Sequence, residues 1–151
     1  MRLDKALTLI KSFEGLMDGN PETVNLDPYL CPAGFWTIGW GHLIRDLSGA
    51  SLAGNAAKQI AYTIYPGGIR MYQAEQLLVE DVQKVVFMVE PMIKPMLSEN
   101  QFNALVSFTF NVGVGNFKNS TLLQKINLQD YAGASEEFLK WVKAGRRTLP
   151  G

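Results

Sequence analysis

The chain has 151 residues, 47% of them hydrophobic, which is enough for one buried core and too little for two independent domains of ordinary size. Fourteen basic and fourteen acidic residues cancel, so no global field is present to hold nucleic acid or an anionic membrane surface. A single cysteine and a single histidine exclude a disulfide framework and a clustered metal site of the zinc-finger kind, and the pattern calls for no metal and no cofactor.

Charges interrupt the apolar residues of the N-terminal segment, and no run of about 18 apolar residues occurs, so neither a cleavable export signal nor a membrane span is predicted. Leu3, Ala6, Leu7, Ile10 and Phe13 recur at helical spacing and predict an amphipathic first helix that presents Glu14 near its C-terminal end. From Gly15 to Pro32 the chain is rich in Gly, Asn, Asp and Pro without periodicity, which predicts an extended loop. Phe35 to His42 combines aromatic and β-branched residues with glycines and suits a short hairpin.

A polar stretch, Ser48 to Asn55, precedes a segment from Ala56 to Tyr65 that fits helix or strand equally, and Pro66-Gly-Gly68 ends it. Leu77, Leu78, Val82, Val85, Val86 and Val89 form a stripe that predicts a long helix over Tyr72–Val89, stopped by Pro91 and Pro95. Ser98 has the chemistry of an N-cap and Gln101 that of its reciprocal partner, opening a helix whose Phe102, Leu105, Val106 and Phe110 are core residues. Shorter helices are expected over Thr121–Ile126 and Asp130–Val142, and no internal repeat is visible.

Ser12-Phe-Glu-Gly15, then Cys31-Pro-Ala-Gly-Phe-Trp-Thr37-Ile-Gly-Trp-Gly-His42, then Ser98-Glu-Asn-Gln-Phe to Asn111-Val-Gly113 and Asn119-Ser-Thr-Leu-Leu123 occur in this order. Together they resemble the phage-type lysozymes, the peptidoglycan muramidases of glycoside hydrolase family 24. The resemblance covers nearly the whole chain and implies a mainly helical α+β fold: a small N-terminal lobe with a β-hairpin, a long connecting helix, a helical C-terminal lobe and a cleft between them. It is read as one lysozyme-like domain, with a hairpin and loop lobe over 15–70 and a helical lobe over 71–151.

The same resemblance implies an endolysin that hydrolyses the β-1,4 bond between N-acetylmuramic acid and N-acetylglucosamine in peptidoglycan and lyses its host. It implies a monomer that waits in the host cytoplasm and depends on a holin to reach the periplasmic wall. Relatives commonly continue past the point where this chain stops, so a further basic segment after Gly151 is an open expectation. An inactive glycan-binding relative, or a lytic transglycosylase that needs only the acid and yields anhydro sugars, stays open beside hydrolysis.

The family's glutamate, aspartate-or-cysteine and threonine fall on Glu14, Cys31 and Thr37, with residues 32–36 between the last two. Glu14 would protonate the leaving oxygen, and Cys31 with Thr37 would order the attacking water, direct thiolate attack being the alternative. At pH 6.5 about 1% of ordinary thiols are ionised and about 0.6% of ordinary glutamates protonated, so unshifted groups would be productive in roughly one molecule in 10,000. Burial would raise both values, so burial by itself cannot serve both roles.

Residues 15–30 separate Glu14 from Cys31, about twice the family's usual spacing, which makes Asp27 on the enlarged loop a rival for the carboxylate role. A Cys31/His42 thiol dyad is disfavoured against His42 as a structural partner of a carboxylate. Gln101 and Asn111 are candidates for hydrogen bonds to the glycan, and Trp36, Trp40 and Trp141 are divided between core packing and sugar stacking.

Overall fold

The computed structural model describes residues 3–148, the side chains of 143–148 excepted. The chain divides into two compact units, one spanning Gly15–Asp81 and one combining the first helix with the chain from Val82 onward.

In the helical unit, α1 (Asp4–Glu14) buries Ala6 and Ile10, one turn apart on one face, against α4 (Glu99–Val112). The Asn103 side chain, itself buried, accepts a hydrogen bond of 2.9 Å from the Ala6 backbone N–H and so ties the first turns of α1 to α4. The predicted capping box at the start of α4 is present: Ser98 Oγ accepts from the Gln101 N–H at 3.1 Å, and Gln101 Oε1 accepts from the Ser98 N–H at 2.9 Å. Three further helices follow, α5 (Val114–Lys118), α6 (Thr121–Asn127) and α7 (Tyr131–Thr148). Ser120 caps α6 through the Leu123 N–H, and α6 packs on α7. The sequence pattern did not reveal α5, because five residues are too few to display a helical stripe.

The other unit is built on a three-stranded antiparallel sheet in the order β1 (Tyr29–Leu30), β2 (Trp36–Ile38), β3 (His42–Leu43). Tyr29 lies opposite Thr37, Leu30 opposite Trp36, and Ile38 opposite His42. The loop predicted over residues 15–32 therefore contains a strand. Its two residues lie between Pro28 and Pro32, too short and too closely flanked by breakers to show alternation. The ambiguous segment is a 3-10 turn (Asn55–Ala57) followed by α2 (Lys58–Ile64). Ala57 and Ala61 face inward while Ile60 and Ile64 are exposed, so its buried face is made of the least hydrophobic of its apolar residues.

The enlarged loop is tied down locally. Leu26 and Ile69 exchange backbone hydrogen bonds of 2.7 and 2.8 Å, Asn25 Nδ2 donates to the Gly67 carbonyl at 2.9 Å, and Asp18 accepts from the Asn20 and Asp27 N–H groups.

The long helix α3 (Met71–Val89) ends before Pro91, as the pattern predicts. The boundary between the units falls inside it, after Asp81, eleven residues beyond the 70/71 division that the resemblance implies. The reason is that the first half of α3 belongs to the sheet. Gly39, at φ +63°, sits so close to Ala74 that an added Cβ would lie 3.1 Å from the alanine methyl, and His42 bonds Asp81. Among the described residues no helix is long and apolar enough to cross a membrane.

Candidate active site

Glu14 is the last residue of α1 and is half-buried. Its carboxylate Oε1 lies 3.5 Å from Asn111 Nδ2, the outer limit of hydrogen-bond reach. Burial pushes the carboxyl above its ordinary range, because the charged form loses hydration, and the Asn111 amide offsets that only in part. A glutamate held this way is a better proton donor near neutrality than one in water.

Cys31 closes the turn from β1 into β2. Its N–H donates to the Phe35 carbonyl at 2.9 Å and its own carbonyl accepts from the Gly34 N–H at 2.8 Å. Gly34 holds φ +89°, a left-handed conformation that a side chain would strain. Two residues beyond Tyr29, Cys31 shares the sheet face of Thr37, because Tyr29 and Thr37 are cross-strand partners and side chains alternate.

The thiol is free and half-exposed. Burial by itself would raise it, but hydrogen bonds from the backbone of Phe35, the Thr37 hydroxyl and the backbone of Ala33 and Gly34 together hold it below its ordinary value. Burial thus acts in the same direction on Glu14 and Cys31, as expected, and it is the donors gathered by the turn that reverse the net sign at sulfur. Thr37 is 2% exposed, and its hydroxyl donates 3.0 Å to the Phe35 carbonyl as well as lying within reach of the thiol.

Asp27, the rival carboxylate, is 5% exposed. Its side chain accepts from the Thr23 hydroxyl, its carbonyl accepts from the Gly19 N–H at 3.2 Å, and its Oδ1 lies close against Gly68. His42 Nδ1 lies 2.7 Å from Asp81 Oδ2, a carboxylate partner of the kind expected. Asp81 itself carried no distinguishing pattern in the sequence, since an acidic residue on a long helix reads as surface.

Gln101 is exposed, with its carbonyl oxygen occupied by the Ser98 cap. Asn111 is exposed as well, but both ends of its amide are engaged: Nδ2 faces Glu14, and Oδ1 accepts from the Trp141 indole N–H at 3.1 Å. No local pattern marks that second bond, because it joins residues thirty apart on α4 and α7. Trp36 and Trp40 are buried, and Trp36 Nε1 donates to the Gly54 carbonyl at 2.7 Å. Among the described residues no group of acidic, histidine or cysteine side chains is arranged to hold a metal ion.

Each unit thus carries part of the candidate set: the half-buried helix-end Glu14 in one, the Cys31 thiol and Thr37 hydroxyl of the small sheet in the other. The family model described as phage lysozyme matches residues 19–151. An endolysin of Acyrthosiphon pisum secondary endosymbiont phage 1 is 40% identical over 98% of this chain and 87% of its own length. An endolysin of Bacillus phage B103 is 37% identical over 96% of this chain, which spans only 47% of that protein. Among solved structures, the endolysin from Escherichia coli O157:H7 phage FAHEc1 superposes with a TM-score of 0.67 at 34% identity, over 91% of this chain and 74% of the other. The chain belongs to the phage lysozyme family and is a peptidoglycan-hydrolysing endolysin.

Proposed function

We propose that the bond cleaved is the β-1,4 linkage between N-acetylmuramic acid and N-acetylglucosamine, with Glu14 as the general acid. The observation that carries this reading is the state of Glu14: a half-buried carboxyl at a helix end, raised by desolvation and met by a single neutral amide. Cys31 and Thr37 order the water that attacks the sugar, the threonine hydroxyl directing its proton to the Phe35 carbonyl or to sulfur as required. The hydrogen bonds that favour a thiolate at Cys31 support a second reading, in which sulfur itself attacks the anomeric carbon and water later displaces it.

The burial of Asp27 and its bonds to Thr23 and Gly19 support a structural role for it. Exposure of Gln101 and Asn111 supports contacts from their remaining amide N–H groups to the glycan. The protein acts as a single copy, accumulates in the host cytoplasm and reaches the wall through membrane lesions made by a holin.

Digestion of purified peptidoglycan by the wild type and by Glu14→Gln, Cys31→Ser and Asp27→Asn variants tests the assignment through product masses. Reducing-end products are expected from the wild type, a loss of at least about a hundredfold from Glu14→Gln, and near wild-type activity from Asp27→Asn. Anhydro products would instead establish a transglycosylase, and a trapped glycosyl-thioether would replace water ordering by thiolate attack.

A further inference from the structure

The amide of Asn111 can meet Glu14 in two ways with opposite consequences. Presenting Nδ2, it donates to the ionised carboxylate and stabilises charge; turned over, it presents Oδ1, which can only accept from the protonated acid. An amide on an exposed helix position has no intrinsic preference between the two. The partner at its other end supplies one: the indole N–H of Trp141 is a donor only, and its 3.1 Å contact is satisfied by Oδ1 alone, which leaves Nδ2 for Glu14.

We propose that Trp141 is a positioning residue for the acid, its N–H fixing the orientation of Asn111 so that the amide stabilises the carboxylate that Glu14 becomes after it has given up its proton. This rests on the reading of Glu14 as the general acid. The indole is well placed to hold a direction. Its ring is boxed by Phe13 of α1 at 5.1 Å, Phe108 of α4 at 5.2 Å and Phe138 of α7 at 5.2 Å, two of them tilted and one edge-on. Phe13 is the residue next to Glu14, so the same ring that orients the amide also packs on the helix end that carries the acid.

The 3.5 Å separation from Glu14 is long for a hydrogen bond to a neutral acid. It leaves room to shorten as negative charge appears on the carboxylate, when a charge-assisted bond becomes the stronger one. The interaction thus gains strength in the direction of the reaction, the property that lowers a barrier.

The test is a pH–rate profile on soluble peptidoglycan fragments for the wild type, Trp141→Phe, Asn111→Leu and the double variant. Trp141→Phe keeps an aromatic ring among Phe13, Phe108 and Phe138 and removes the donor together with the smaller ring of the indole; the double variant separates the loss of the donor from the loss of packing. Its kcat is expected to fall about fivefold to tenfold, the worth of one hydrogen bond, with KM little changed. The alkaline limb, set by ionisation of Glu14, is expected to move to higher pH. In the Asn111→Leu background the Trp141→Phe substitution is expected to add nothing, since its effect passes through the amide.

An unmoved alkaline limb, or losses that simply add in the double variant, would overturn the proposal and leave Trp141 a packing residue. Activity retained by Glu14→Gln would instead overturn the assignment of the acid, so the two failures are distinguishable.

Discussion

At the scale of single residues, Glu14 and Cys31 show how one protein shifts two acids in opposite directions. Glu14 loses water and is met by one long neutral hydrogen bond; Cys31 also loses water, but the turn that follows it supplies several donors. For stability, the raised Glu14 means that the folded chain binds a proton more tightly than the unfolded one. Its contribution is therefore present below the unfolded value, about pH 4, and is lost as pH rises through the folded value. Glu14→Gln does not titrate, so its melting temperature is expected to rise relative to the wild type across that window and to hold a constant advantage above it. Each kcal/mol relieved appears as about 2–4 °C for a chain of this size, and calorimetry from pH 3 to pH 8 measures it.

At the scale of elements, what was legible depended on whether chemistry or packing decides the structure. The capping box of α4 is local chemistry, written as Ser98 and Gln101 three positions apart, and it forms as read. Ser98→Ala is expected to cost about 1 kcal/mol in urea unfolding, because it strands the Gln101 N–H and leaves Gln101 Oε1 as the sole half of a reciprocal pair. Activity below the onset of unfolding should be unchanged.

The stripe of α3 was equally plain, and Pro91 stops it. In contrast, β1 exists only because Tyr29 and Leu30 find Thr37 and Trp36 across the sheet, and α2 turns small alanines inward while isoleucines face out. Tertiary partners made those choices, and a local pattern does not carry them. The proposed site divides the same way. Glu14, Cys31 and Thr37 are proposed from short local motifs, whereas the Trp141 bond to Asn111 and the Asp81 bond to His42 join residues distant in sequence.

At the scale of the whole molecule, each unit closes its own set of contacts. The helical unit assembles α1, α4 and α7 around Phe13, Phe108, Phe138 and Trp141. The sheet unit is locked by the Tyr29 hydroxyl, which donates to the Gly39 carbonyl at 3.0 Å and accepts from the Gly41 N–H at 3.3 Å, bridging both limbs of the β2–β3 turn. With no net charge, the chain has no global field to draw it to its polymer.

The turn that gathers donors around Cys31 has a further consequence, because no other cysteine exists in the 151 residues. An aspartate in that position would ionise invisibly, but a thiolate absorbs in the ultraviolet where the thiol does not. A spectrophotometric titration of the native protein therefore reports the state of the Cys31 sulfur without any label. Its midpoint is expected below the value of free cysteine, about 8.5, and in a Thr37→Val variant it is expected to move up. Sulfur at this position gives the chain a built-in optical reporter of its own resting charge.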